Sequence, residues 1–301
     1  MFNLLEVLIS TLEHEQELDI IKAAIMLRRP ILVTGKPGLG KSSLAKAVAK
    51  ALGLGEVLHW QITTETMLKD GLYSYDALSR LQDIQTDPND KKSIEKYLKL
   101  EALGSVFASE NKPKVLLIDE LDKSDADLPN NLLHIFEEGY FEIPELKRLN
   151  SKQTFTIETA SREKIETQKE GKKEIHYKTI TAEIASDGKV ECQHFPIIIM
   201  TSNGEREFPS AFNRRCLHIE LTQPSPKELV KIVKSNLNID IDESDAVLEI
   251  FIDKRNESND NLATDQLLNA IYLRSKKFLA DGTKKELEHN EILAKLFKPL
   301  A

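Results

Sequence analysis

The run GKPGLGKS, Gly35 to Ser42, constrains this chain more than any other feature. It fits G-x-x-x-x-G-K-[ST], in which glycines let the backbone curl until its N–H groups face a phosphate. Before it stands Ile31-Leu32-Val33, a short β-type run set off by Pro30 from the helical periodicity of 17–28. After it, KSSLAKAVAKAL (41–52) is rich in Ala and Leu and reads as a helix. Strand, glycine loop and helix in that order are what a phosphate site needs, because the helix N-terminus adds its dipole. The backbone of Gly35, Lys36, Pro37, Gly38, Leu39, Gly40, Lys41, Ser42 and Ser43 is expected to wrap a polyphosphate. Lys41 would offset β- and γ-phosphate charge, and the Ser42 hydroxyl would ligate Mg²⁺.

A second motif, VLLIDELDK (Val115–Lys123), complements the first. Its unbroken apolar run predicts a strand buried on both faces of a parallel sheet. Such a strand delivers Asp119 to the carboxyl edge of the sheet, where the Mg²⁺ would sit. Glu120 follows and is expected to orient and deprotonate an attacking water. IIIMTSN (Ile197–Asn203) puts the Asn203 amide just past another buried strand, in reach of a γ-phosphate or the water. FPSAFNRRC (Phe208–Cys216) sets Arg214 and Arg215 before a last strand. The planar fork of an arginine suits a phosphoryl-transfer transition state.

The remaining elements alternate. Val57–Ile62 reads as a strand, 92–110 as helical, Leu128–Glu138 as a helix stopped by Gly139, and Leu217–Leu221 as a final strand. Strands alternating with helices predict a three-layer α/β domain over 1–223. Beyond Pro224 and Pro226 the texture changes. Stretches 227–237, 243–256, 264–280 and 284–298 are all helical in period, which predicts a small all-helical domain over 224–301. Residues 145–195 stand apart. Ser161–Glu174 is almost wholly polar, and Asp187-Gly188 is a hairpin-turn signal. This insertion is either a mobile polar surface segment or a hairpin that touches a partner. Tyr73 and Tyr75 either pack or grip a substrate chain.

Taken together and in this order, the four motifs resemble those of the AAA+ ATPases, and among them the MoxR-type branch. Gly35–Ser42 looks like Walker A and Asp119-Glu120 like Walker B. Asn203 matches sensor 1, and Arg215 the arginine finger, with Arg214 its neighbour. Asn131–Pro144 is similar to the helix and hairpin that lead to sensor 1, and Trp60–Tyr73 resembles the insertion within helix 2. The resemblance implies a parallel sheet of order 5-1-4-3-2 with a helical lid, ATP and Mg²⁺ as ligands, and a homo-oligomeric ring, usually hexameric. It also implies a remodelling role on a protein partner, which in this branch tends to carry a von Willebrand A domain. One departure stands out. Where relatives carry a sensor 2 base at the start of the third lid helix, NLATDQLL (Asn261–Leu268) offers Asp265 and no basic residue.

Bulk properties narrow the alternatives. The net charge of -8 argues against a nucleic-acid grip over the whole surface. No N/T-K-x-D base-reading motif is present, so a GTP-driven or nucleic-acid-dependent restriction-type motor ranks behind an ATP-driven one. A regulatory switch that binds ATP and barely turns over is the other alternative, and Glu120 with the arginines weighs against it. The N-terminus lacks a basic region, so no signal peptide is expected. No stretch approaches the roughly 18 apolar residues of a membrane span. Two cysteines make no disulfide framework, and a cytoplasmic setting is expected.

Overall fold

The five apolar runs form one sheet. In the computed structural model they are β1 (Ile31–Thr34), β2 (Leu58–Gln61), β5 (Val115–Asp119), β10 (Ile197–Ser202) and β11 (Leu217–Glu220). Their order across the sheet is β11-β1-β10-β5-β2. Numbered as core strands one to five, that is the expected 5-1-4-3-2. The structure describes residues 15–86, 93–149, 152–169, 172–257, 262–279, 284, 287 and 290–298. The N-terminal run that bears on a signal peptide lies outside them, as do Asn261 and much of 280–289.

Two compact units emerge. One takes Met1–Val33 and Ser42–Ile219, the other Thr34–Lys41 and Glu220–Ala301. In the first, β10 and β2 both run parallel to β5, with Ile197 level with Val115 and Gln61 level with Asp119. Every residue of β10 is buried, as are Val115 to Ile118. That is why these strands read as continuous apolar runs: each has a layer on both faces. Parallel pairing also puts all carboxyl ends on one edge. Helix α1 (Glu15–Leu27), α2 (Lys41–Ala51), α5 (Ala102–Phe107) and α6 (Leu128–Glu138) accompany the sheet. Gly139 ends α6 at φ +71, a conformation that costs glycine nothing.

Between β2 and β5 the chain holds more than the helix predicted over 92–110, a stretch that is helical at 94–97 and 102–107 and interrupted by a strand. It forms α3 (Leu68–Leu72), β3 (Tyr73–Tyr75), α4 (Ala77–Thr86), a 3-10 turn (Ile94–Tyr97) and β4 (Leu98–Leu100) before α5. The cause is tertiary. β4 alternates buried Leu98, exposed Lys99 and buried Leu100, and it finds partners on both sides.

Those partners include the polar insertion. After β6 (Tyr140–Glu142) and α7 (Pro144–Lys147), β7 (Phe155–Lys169) and β8 (Lys172–Ile184) form one long antiparallel ladder. They join β3 and β4 in a sheet ordered β3-β4-β7-β8. The insertion is thus a β-ribbon and not an irregular segment. Its root is apolar, with Phe155, Ile157, Ala182 and Ile184 buried. The Asp187-Gly188 signal does mark a turn, closed by the Gly188 N–H on Ala185 O at 2.9 Å. Its two arms do not pair with each other, however. β8 pairs with β7, and β9 (Lys189–Glu191) pairs with β6.

In the second unit, α9 (Pro226–Leu237), α10 (Ala246–Glu257), α11 (Thr264–Ser275) and α12 (Glu291–Leu296) bury Leu229, Val233, Leu248, Phe251, Leu267 and Ile271. Ser225 caps α9 reciprocally: its hydroxyl accepts from the Glu228 N–H, and the Glu228 carboxylate accepts from the Ser225 N–H. Arg274 forks onto Asp245 at 2.9 and 2.5 Å, tying α11 to the start of α10.

Candidate active site

The phosphate loop is tight, and two features keep it so. Lys41 is buried, and its ammonium donates to the carbonyls of Gly35 at 2.6 Å and Lys36 at 2.8 Å. The start of α11 lies against Gly38. The Thr264 N–H donates to Gly38 O at 3.3 Å, and a Cβ on Gly38 would fall 2.1 Å from the Ala263 Cβ. With φ at +78 as well, only glycine fits this position. Asp265 is exposed one residue beyond that contact.

The strand ends carry the acids. Ser42 is in the first turn of α2, and its hydroxyl donates to Asp119 at 2.9 Å from Oδ1 and 3.1 Å from Oδ2. Asp119 Oδ1 also accepts from the Thr201 hydroxyl at 2.5 Å, and His59 Nε2 lies 3.3 Å from Oδ2. Thr201 has a second duty: its Oγ1 accepts the Glu120 N–H at 2.9 Å. Glu120 is held in the left-handed region, φ 60 and ψ 47. For a residue with a Cβ this is a strained backbone, of the sort that concentrates at functional sites. The turn throws its carboxylate back over the strand ends, where Oε2 accepts from Gln61 Nε2 at 2.7 Å and Lys123 Nζ at 2.8 Å. The hydrogen bond to Glu120 in turn holds the Lys123 ammonium above its usual range.

Asn203 follows β10 on the same edge. Its N–H donates to Asp122 Oδ2 at 2.8 Å, and so does the Glu205 N–H at 3.1 Å. Asp119, Glu120 and Asn203 are therefore brought together at the carboxyl edge, with Ser42. Sequence reasoning missed Gln61, Thr201, Asp122 and Lys123. A usable signal did exist for two of them. Parallel strands in register end together: Gln61 is level with Asp119, and Thr201 follows Met200, the partner of Ile118, so both fall beside Asp119.

The arginines are elsewhere. Arg214 and Arg215 follow α8 (Ser210–Asn213) and precede β11. The Leu217 N–H donates to Pro30 O and the Leu221 N–H to Thr34 O, so β11 runs parallel to β1. Arg215 thus stands at the amino edge, a strand length of about 15 Å from the edge that bears Asp119. It pairs with Glu137 and donates to Ala211 O, with its side chain half exposed. Arg214 donates to Ser210 O. Beside Arg215 opens a surface cleft of about 530 Å³ that also meets Arg28, Arg29 and Cys192. Tyr73 is buried and donates to Glu145 at 2.8 Å, so it packs in this chain.

The donor set suits a hard cation. Ser42 and Asp119 offer oxygen only and already converge within hydrogen-bond distance, as oxygen ligands of one Mg²⁺ would. Among the described residues no helix is long and apolar enough to cross a membrane.

A five-stranded parallel sheet in this order, with a glycine loop at its first strand and two acids at its third, defines an AAA+ P-loop fold. The family model for the AAA domain of the dynein-related subfamily matches residues 30–216, and the chain belongs to that family. A solved structure from Cytophaga hutchinsonii ATCC 33406, provisionally assigned as an ATPase, is similar at 16% identity and a TM-score of 0.43. That similarity covers 85% of this chain and 67% of the other. No curated protein matches.

Proposed function

We propose that the chain binds ATP with Mg²⁺ at Gly35–Ser43 and Asp119 and hydrolyses it as a subunit of a ring. The observation that carries this reading is the Ser42–Asp119 pair, with Glu120 and Asn203 on the same edge. Lys41 would exchange the carbonyls of Gly35 and Lys36 for phosphate oxygens. Ser42 and Asp119 would hold Mg²⁺, which offsets phosphate charge. Glu120 would take the proton of the attacking water, and Asn203 would orient the γ-phosphate or that water. Arg215, with Arg214, would serve the neighbour's nucleotide, because it stands on the edge opposite its own acids. The chain would divide into a core (1–223) and a helical lid (224–301). A MoxR-type remodelling role in the cytoplasm, on a protein that carries a von Willebrand A domain, is the finer form of this proposal.

A second reading, a nucleotide switch with little turnover, has support of its own. The Glu120 carboxylate is engaged by Gln61 and Lys123, so basal turnover would be slow until those contacts are exchanged. Steady-state turnover of ATP and of GTP, for wild type and Lys41→Ala, tests the central proposal. ATP turnover that Lys41→Ala abolishes supports it. Equal turnover of both proteins would sink it.

A further inference from the structure

Two backbone N–H groups just after β10 end on one carboxylate. Asp122 lies in the 3-10 turn Leu121–Lys123, directly behind Glu120, and is 5% exposed. Its Oδ2 accepts from Asn203 N–H at 2.8 Å and Glu205 N–H at 3.1 Å. Its Oδ1 is also buried and accepts no hydrogen bond from the described residues. A second strap runs the other way. Arg206 donates to Ser124 O at 2.7 Å, to Ser124 Oγ at 3.3 Å and to Asp125 O at 3.2 Å. The loop after β10 and the turn after β5 are thus stitched from both sides.

Burying a carboxylate is costly, and leaving one oxygen without a donor adds to the cost. The two backbone N–H bonds that it accepts offset part of that cost. What the acid does is local. It fixes the peptide plane of Asn203, and with it the direction in which the Asn203 side chain leaves the backbone. Gly204, at φ +80, sits between the two anchored N–H groups and supplies no side chain to restrain the loop itself.

We infer that Asp122 is a positioning residue for the reaction, holding Asn203 where its amide meets the γ-phosphate or the attacking water. The inference rests on the role proposed above for Asn203. It assigns to Asp122 an acceptor function, and its negative charge is incidental. An asparagine oxygen has two lone pairs and can accept both N–H groups. A leucine has nearly the shape of an aspartate and accepts neither.

The test is kcat and KM for ATP, with nucleotide affinity and thermal midpoint, in five proteins: wild type, Asp122→Asn, Asp122→Leu, Asn203→Ala and the Asp122→Leu/Asn203→Ala double variant. Asp122→Asn should keep kcat within about threefold of wild type. Asp122→Leu should lose about tenfold or more in kcat while its ATP affinity moves less than about twofold. The double variant should be no slower than Asn203→Ala alone, since both changes remove one function. A merely structural role predicts something else: falling ATP affinity and midpoint, and losses that multiply in the double variant. Full kcat in Asp122→Leu beside an inactive Asn203→Ala would overturn the inference and leave the role of Asn203 intact. Full kcat in Asn203→Ala would remove that role and the inference with it. Should Asp122→Leu fail to fold, Asp122→Ala, which also accepts neither N–H, takes its place, and a collapse of kcat in a folded Asp122→Asn overturns the inference by itself.

Discussion

Ser42 and Asp119, 77 residues apart in the chain, meet through the serine hydroxyl at 2.9 and 3.1 Å from the two carboxylate oxygens. One comes from the first turn of α2 and the other from the end of β5. Their convergence is a product of the parallel sheet, and it is where the proposed Mg²⁺ would be held.

Asp119→Ala should therefore uncouple nucleotide binding from Mg²⁺. In excess chelator its ATP affinity should resemble that of wild type. With Mg²⁺ present it should bind about tenfold more weakly than wild type or worse, because the oxygen ligand is gone. Titrations with and without Mg²⁺ measure this. Unchanged Mg²⁺ dependence would place the cation on other residues.

Glu120→Gln should bind ATP and cleave it about 10²-fold more slowly or worse, since an amide cannot take the proton. Lys123→Ala should act in the opposite sense. It removes one of the two donors on Glu120 Oε2 and should raise basal turnover a few-fold. Single-turnover hydrolysis separates the two effects from binding. A slower Lys123→Ala would mean that the lysine supports the active form of Glu120 and does not restrain it.

The polar insertion is expendable only in part. Ser161 is buried and accepts the Lys114 ammonium at 2.5 Å, so it belongs to the root of the ribbon and not to its polar arm. Arg162 and Thr179 are ladder partners, and so are Glu163 and Lys178. Replacing residues 163–178 by Asn-Gly, a two-residue turn suited to a hairpin, should leave basal ATPase intact and lower stability by less than about 1 kcal/mol. Circular dichroism melts and turnover check both. Loss of stimulation by a protein partner alone would make the ribbon a contact device. Unfolding would make it structural.

What was legible in the sequence were the features with a local cause. The glycine loop, the apolar strands and the α6 stop at Gly139 each follow from a few neighbouring residues, and the sheet order came with the resemblance the motifs carry. The strand pattern at 98–100 was hidden, because three residues carry too little periodicity to compete with a longer helical pattern. The ribbon was half visible. Its polar outer arms concealed the strand, while Phe155 and Ile157 at its root alternate as a half-buried strand must. Within the site, Asp119, Glu120 and Asn203 stood out because each closes an apolar run. Thr201, which follows the apolar run Ile197–Met200, could have been found the same way. Asp122 could not, since its role depends on a backbone turn 81 residues away.

The arginines carry the claim that the active site is completed by a neighbour. Arg215 stands at the amino edge of the sheet and Asp119 at the carboxyl edge. A finger supplied in trans is worth on the order of 10³-fold or more in turnover. The most direct measurement is the ATPase rate per subunit against protein concentration, for wild type, for Arg215→Ala and for a mixture of Arg215→Ala with Lys41→Ala. The wild-type rate should rise with concentration as subunits assemble. Arg215→Ala should bind ATP normally and be nearly inactive, and the mixture should recover activity, because a mixed interface pairs an intact phosphate loop with an intact arginine. A wild-type rate that stays flat down to a monomeric sample, with no recovery on mixing, would contradict the account.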